Sequence, residues 1–168
     1  QWDPTIDDPG SPYNHLNGGP CASAADFFRS EKAWAAHAQR LRYCQARWGA
    51  DPALFAWVLS SELEFTGAFY QEAYLTGYHD PWAHSPTTEA WIRRNLDWFA
   101  ANDWRHRPVS IHFSHPWRAK RIWRMDGLGF SNSNAYTGFQ TDMHQLGGPQ
   151  AGLPGALLLY ISEHIPPW

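Results

Sequence analysis

Apolar residues along the chain alternate between the spacing of helices and the spacing of short strands. Two stripes have helical spacing: Trp34, Ala38, Leu41, Cys44 and Trp48, and later Trp91, Ile92, Leu96 and Phe99. Ser30 is a suitable N-cap for the first helix, and Gly49 is a suitable end after Trp48. Ser85 and Pro86 supply the N-cap and the first position of the second helix. The pattern predicts two amphipathic helices, each with one buried face.

Short apolar segments lie between and after these helices, and each one ends in polar residues. They are 54–59, 108–113, 128–136 and 155–164. Strands that alternate with helices predict parallel βαβ units. Because the carboxyl ends of parallel strands share one edge, the polar residues that follow these strands should meet in one cleft.

The amino-acid composition indicates which kinds of ligand or partner the protein could bind. The 168 residues are 43% hydrophobic and 17% charged, which is ordinary for a globular domain, whereas 11 Trp exceed what core packing needs. Indole rings stack on flat ligands such as sugar rings. A net charge of −3 disfavours nucleic acid as a partner. No apolar run approaches the ~20 residues that span a bilayer, so we expect no membrane span.

The first 25 residues differ from the rest because they are rich in Pro and Gly and show no periodicity. We therefore predict an irregular N-terminal region over 1–25 and one folded domain over 26–168. The two cysteines, Cys21 and Cys44, allow either two free thiols or one disulfide, and two residues are too few to indicate a disulfide framework. We favour free thiols.

Candidate chemistry lies at the strand ends. Glu62 follows the first strand segment and Glu163 lies near the end of the last one. Two carboxylates brought to one cleft suit glycoside hydrolysis, in which one protonates the leaving oxygen and the other attacks the anomeric carbon or activates water. His112 is interpreted as a cleft residue that contacts a sugar hydroxyl, and Glu64 as a surface acid. The histidines lack the convergence of a zinc site, so we predict no metal and no cofactor.

The aromatic segment 65–86 leaves two interpretations open. Its rings either pack against each other as a small satellite core, or form a subsite wall in which Trp82, Tyr78 or Phe69 stacks on a sugar ring.

One stretch of about forty residues is similar to a known family. The sequence DFFRSEKAWAAHAQRLRYCQARWGADPALFAWVLSSELEF, residues 26–65, resembles a region of the clan A glycoside hydrolases, which are cellulase-like. RPVSIHFS, LGFSNSNAYTG and ALLLYISEH resemble the fifth, sixth and seventh strands of that family. The resemblance implies a parallel (β/α)8 barrel of the TIM type. This chain would hold only strands four to seven of it, so the implied barrel is partial, and a further chain or segment would complete it.

The resemblance also assigns roles. Glu62 would be the general acid/base, Glu163 the nucleophile and Tyr136 the hydrogen-bond partner of that nucleophile. The residues expected to bind the substrate are Trp57, Ser61, Trp82, His112, Asn134 and Tyr136. The chain departs from the family at Ser61, which replaces an Asn, and at Asn134, which replaces a His.

The implied activity is retaining hydrolysis of a β-linked oligo- or polysaccharide by a secreted or cell-surface protein. The alternative is a catalytically inactive relative that binds carbohydrate or serves in structural assembly.

Overall fold

A computed structural model describes residues 10–74, 80, 82–114 and 120–134. Its α-helices are α1 (Asp26–Arg29), α2 (Glu31–Trp48), α3 (Gly67–Phe69), α4 (Pro86–Asn102) and α5 (Lys120–Trp123). 3₁₀ turns span His15–Asn17 and Leu63–Phe65, and a π-helix spans Tyr70–Tyr74. The strands are β1 (Trp57–Val58), β2 (Val109–Ser110), β3 (His112–Phe113) and β4 (Asn132–Ser133).

The two long helices begin where the sequence predicts. Ser30 Oγ accepts a hydrogen bond from the backbone of Ala33, and Ser85 Oγ accepts one from Thr88, both at 3.3 Å. These caps satisfy backbone N–H groups that have no partner within the helix. The predicted buried stripe of α4 is confirmed. In α2 the stripe is only partly right, because Trp48 is 45% exposed near the helix end.

The strands pair in parallel. Trp57 of β1 lies opposite Val109 of β2, and His112 of β3 lies opposite Asn132 of β4. Backbone bonds extend both pairings, since His112 N–H donates to the carbonyl of Ser60 and Asn134 N–H to that of Phe113, each at 3.1 Å. The segment 109–113 therefore runs between the other two strands.

The predicted (β/α)8 barrel is wrong. The part of the chain that the structure describes is mostly helical, with two parallel sheets of two strands each. The apolar run 54–59 suggests a six-residue strand, but β1 begins only at Trp57. Before it, the Arg107 guanidinium donates to the Leu54 carbonyl at 2.9 Å, so a side chain satisfies a group that a longer strand would pair. Phe55 is 75% exposed. A partial barrel and a segment that completes it have no support, and the fourth predicted strand, 155–164, lies outside the described residues.

One core joins the helices to the strands. Its buried members are Leu41, Leu63, Phe69, Ala73, Trp91, Ile92, Leu96, Phe99, Val109, Ile111, Phe113, Ile122 and Trp123. Both cysteines are free, as favoured from the sequence, and Cys21 is the buried one. None of the helices within the described ranges has the length and apolar character needed to cross a bilayer.

A buried polar cluster fixes the amino-terminal end of the strands. Asp103, just after α4, accepts hydrogen bonds from Trp57 Nε1 at 3.0 Å, Gln45 Nε2 at 3.1 Å and Arg107 Nη1 at 3.0 Å. Arg107 also donates to the carbonyl of Gly49 at 2.7 Å. The cluster ties the ends of α2 and α4 to the start of β1.

Candidate functional site

The carboxyl ends of the strands bring together polar residues that are far apart in sequence. Ser61 Oγ and the backbone N–H of Glu62 each lie 3.1 Å from His112 Nδ1. Asn134 Nδ2, which follows β4, donates to Glu62 Oε1 at 3.1 Å. These four residues, called here the strand-end group, were all named as site residues from the sequence. Parallel pairing explains their convergence, because it places the three strand ends at one edge.

Glu62 has an unusual backbone. Its φ is 48° and its ψ is 56°, in the left-handed region that residues with a Cβ rarely adopt. Among the described residues other than glycine, only Glu62 and His106 have positive φ. Such a conformation costs of order 1–3 kcal/mol and is enriched at functional sites. It follows the end of the parallel pairing at Ser60, and the half-buried Glu62 side chain accepts a hydrogen bond from Asn134.

His112 holds Glu62 through a defined tautomer. Because the Glu62 backbone N–H can only donate, His112 Nδ1 must be the acceptor, and in the neutral ring the proton lies on Nε2. The Ser61 hydroxyl can donate to the same Nδ1. The imidazole thus orients the loop that carries the carboxylate, and its Nε2–H is a donor.

Glu64 is not the surface acid that the sequence suggested. Its side chain is fully buried, and Oε1 accepts from the backbone N–H of Ser114 at 2.8 Å and from the Ser114 hydroxyl. These hydrogen bonds connect the 3₁₀ turn that contains Glu64 to the residue that follows β3. The apolar neighbours of Glu64, namely Leu63, which is buried in the core, and Phe65, were the available signal in the sequence.

Two predicted tryptophans lie elsewhere. Trp57 packs its ring against Phe99, with centroids 5.2 Å apart, and donates to Asp103, which gives it a packing role at the amino-terminal end of the strands. Trp82 is 44% exposed and has the guanidinium carbon of Arg124 4.7 Å from its ring centroid.

The remaining predicted residues, Tyr136 and Glu163, lie outside the described residues, so the Glu62–Glu163 pair stays a prediction. Within the described part of the chain, no three His, Cys, Asp or Glu side chains are grouped so as to hold a metal ion.

Comparisons of the chain with protein-family models, curated proteins and solved structures find no match. The resemblance to clan A glycoside hydrolases therefore remains a prediction from the sequence, and function must be argued from the strand-end group.

Proposed function

We propose that this chain is a glycoside hydrolase that cleaves a β-linked glycan with Glu62 as general acid/base. The observation that supports this most is the placement of the Glu62 carboxylate. It is held on a left-handed residue at a strand end and hydrogen-bonded by Asn134 from another strand. Rigid positioning of an acid next to polar side chains is what protonation of a glycosidic oxygen requires.

The proposed reaction has two displacements. Glu163 attacks the anomeric carbon while the bond to the leaving oxygen breaks and Glu62 donates its proton to that oxygen. Glu62 then takes a proton from water, the water oxygen bonds to the anomeric carbon, and the ester to Glu163 breaks. The role of Glu163 rests on the sequence alone. A secreted or cell-surface location belongs to the same proposal, because the resemblance to the glycoside hydrolases implies it.

Glu62→Gln tests the assignment because it keeps the shape of the side chain and removes its proton chemistry. We expect turnover of alkyl β-glycosides to fall roughly 100- to 10,000-fold. Nitrophenyl β-glycosides should lose less, since their leaving group departs without a proton. Glu31→Gln is the matched control, because the Glu31 side chain is 78% exposed and pairs only with Arg94 among the residues described. Equal turnover by Glu62→Gln and wild type would remove Glu62 from the mechanism.

One observation favours a second candidate, carbohydrate binding without cleavage. Ser61 stands where the family has an Asn, and its hydroxyl contacts His112. Hydrogen bonds to the sugar 2-hydroxyl that strengthen in the transition state contribute several kcal/mol, and the Ser61 side chain is shorter. If wild type binds β-glucans or xylans but turns over neither alkyl nor aryl glycosides, the binding function is the right one.

A further inference from the structure

A cavity that is partly open to solvent lies beside the strand-end group. Its volume is about 560 Å³, which is enough for a small ligand. Ser60 and Ser61, the two residues that precede Glu62, contribute to its lining. Arg40 of α2 lines it as well, and both Arg40 and Ser61 are exposed. Part of the lining is therefore accessible to a ligand, next to the residue proposed as the acid.

The charge of this cavity comes from Arg40. Among the residues described around the cavity, Arg40 is the one that carries a full charge at pH 7, and none carries a carboxylate. No carboxylate of the described residues forms an ion pair with Arg40. The cavity therefore presents a guanidinium whose counter-charge does not come from the part of the chain that the structure describes, and an anionic ligand could supply it.

The positive charge of Arg40 acts on His37, which lines the same cavity. His37 lies three residues before Arg40 on α2, so the two are neighbours on the helix surface. Burial lowers the pKa of His37, the hydrogen bond to Asn95 acts in the opposite direction, and the charge of Arg40 lowers it further. The net shift is downward, so the imidazole is neutral at pH 7 and adds no charge to the cavity.

Aromatic rings form another part of the lining. Tyr13, Phe27 and Phe28 all line the cavity and are partly exposed. The Phe27 ring packs edge-on against the other two, with its centroid 4.8 Å from that of Tyr13 and 5.3 Å from that of Phe28. The C–H faces of a pyranose ring suit such an apolar surface. The cavity thus combines an aromatic wall with one accessible cation.

We propose that this cavity is a subsite for an acidic sugar, a pyranose unit that bears a carboxylate, and that Arg40 binds this carboxylate. A guanidinium matches a carboxylate in shape as well as in charge, because two parallel N–H groups can donate to its two oxygens. The choice of a sugar rests on the proposed function, whereas the choice of an anion rests on Arg40. Together they make the substrate a β-linked glycan that contains uronic acid.

Binding of three matched ligands tests the proposal without any turnover. They are methyl β-D-glucuronide, its uronamide, which keeps the shape and removes the charge, and acetate, which keeps the charge and removes the sugar. We expect saturable binding of the glucuronide in an NMR titration, with a Kd roughly three- to tenfold below that of the uronamide and also below that of acetate. No saturable binding, or a glucuronide Kd equal to that of either other ligand, would overturn the subsite.

Variants of two exposed arginines on α2 assign the effect to one side chain. Arg40→Gln should raise the glucuronide Kd to that of the uronamide and leave the uronamide Kd unchanged. Arg40→Lys keeps the charge but not the paired donors, so its Kd should lie between these values. Arg42→Gln is the matched control, because Arg42 is not among the residues described around the cavity, and its Kd should equal that of wild type. Equal Kd values in Arg40→Gln and Arg42→Gln would overturn the role of Arg40.

Glu62→Gln separates this proposal from the preceding one. Because it leaves Arg40 in place, it should still prefer the glucuronide to the uronamide. Unchanged turnover in Glu62→Gln would contradict the assignment of the acid and leave the subsite standing. Absence of that preference in wild type would contradict the subsite and leave the acid standing.

Discussion

The two ends of the short parallel strands use carboxylates in opposite ways. At the amino-terminal end, Asp103 is 1% exposed and receives hydrogen bonds from two side chains, a guanidinium and two backbone N–H groups. At the carboxyl end, Glu62 is half-buried on a left-handed backbone, and Asn134 donates to one of its oxygens. A fully buried carboxylate surrounded by donors stabilises the fold, whereas a half-buried one remains open to solvent and can exchange a proton.

The largest expected effect comes from the amino-terminal end. Asp103→Asn leaves the Arg107 guanidinium, which is 9% exposed, without its counter-charge. Breaking a buried pair by removing one partner costs about 3–5 kcal/mol. We expect the free energy of unfolding, measured in urea, to fall by this amount. Glu89→Gln breaks the exposed pair with Arg121 and should cost below about 1 kcal/mol. Equal losses in the two variants would contradict the structural role of Asp103.

Acid pH provides a second readout for the same variant. Burial raises the pKa of Asp103, but the hydrogen bonds from Trp57, Gln45 and the backbone of Arg105 and Arg107 outweigh it, so the pKa lies below its ordinary value. A lowered folded-state pKa gives stability that is complete above the unfolded aspartate pKa of about 3.9 and is lost as pH falls through the folded pKa. Wild type should therefore lose stability more steeply below about pH 4 than Asp103→Asn.

The next largest effect on the free energy of unfolding distinguishes Glu64 from Glu62, two acids at the carboxyl end of the strands. Glu64 is buried and accepts two hydrogen bonds from Ser114, so Glu64→Gln, which places an amide nitrogen in this buried site, should lower the free energy of unfolding by about 1–3 kcal/mol. Glu62→Gln should lower it less, because the glutamine oxygen can still accept the hydrogen bond from Asn134. Urea unfolding of both variants makes the comparison, and a larger loss in Glu62→Gln would mean that Glu62 is also structural.

Features decided by local chemistry could be predicted from the sequence. The caps at Ser30 and Ser85 follow from side-chain oxygens next to helical stripes, and both are confirmed. The convergence of Glu62, His112 and Asn134 followed from parallel pairing and polar strand ends, which needs no knowledge of how far each strand extends.

Features decided by distant partners could not be predicted. The predicted strand that begins near Leu54 is shortened because Arg107, more than fifty residues away in the sequence, donates a hydrogen bond to the Leu54 carbonyl. Glu64 is buried because Ser114 supplies its donors. His37 lies on the buried face of α2 beside Asn95 of α4. A helical stripe identified from apolar residues alone does not include this histidine. The barrel was wrong for the same reason, since strand length depends on pairing partners that an apolar run does not specify.

The smallest expected effect tests whether Glu62 is strained. Glycine adopts positive φ without a Cβ penalty, so Glu62→Gly should be about 1 kcal/mol more stable than Glu62→Ala, although glycine usually destabilises. Ala101→Gly, on an exposed turn of α4, should instead lower the free energy of unfolding by about 1 kcal/mol.

His106, with φ 49°, lies at the other end of the strands. Its glycine variant should likewise be more stable than its alanine variant. Turnover divides the two sites: it should disappear in both Glu62 variants and persist in both His106 variants. If alanine equals or exceeds glycine at position 62, the left-handed backbone stores no strain, and the difference between the two ends lies in their hydrogen bonds alone.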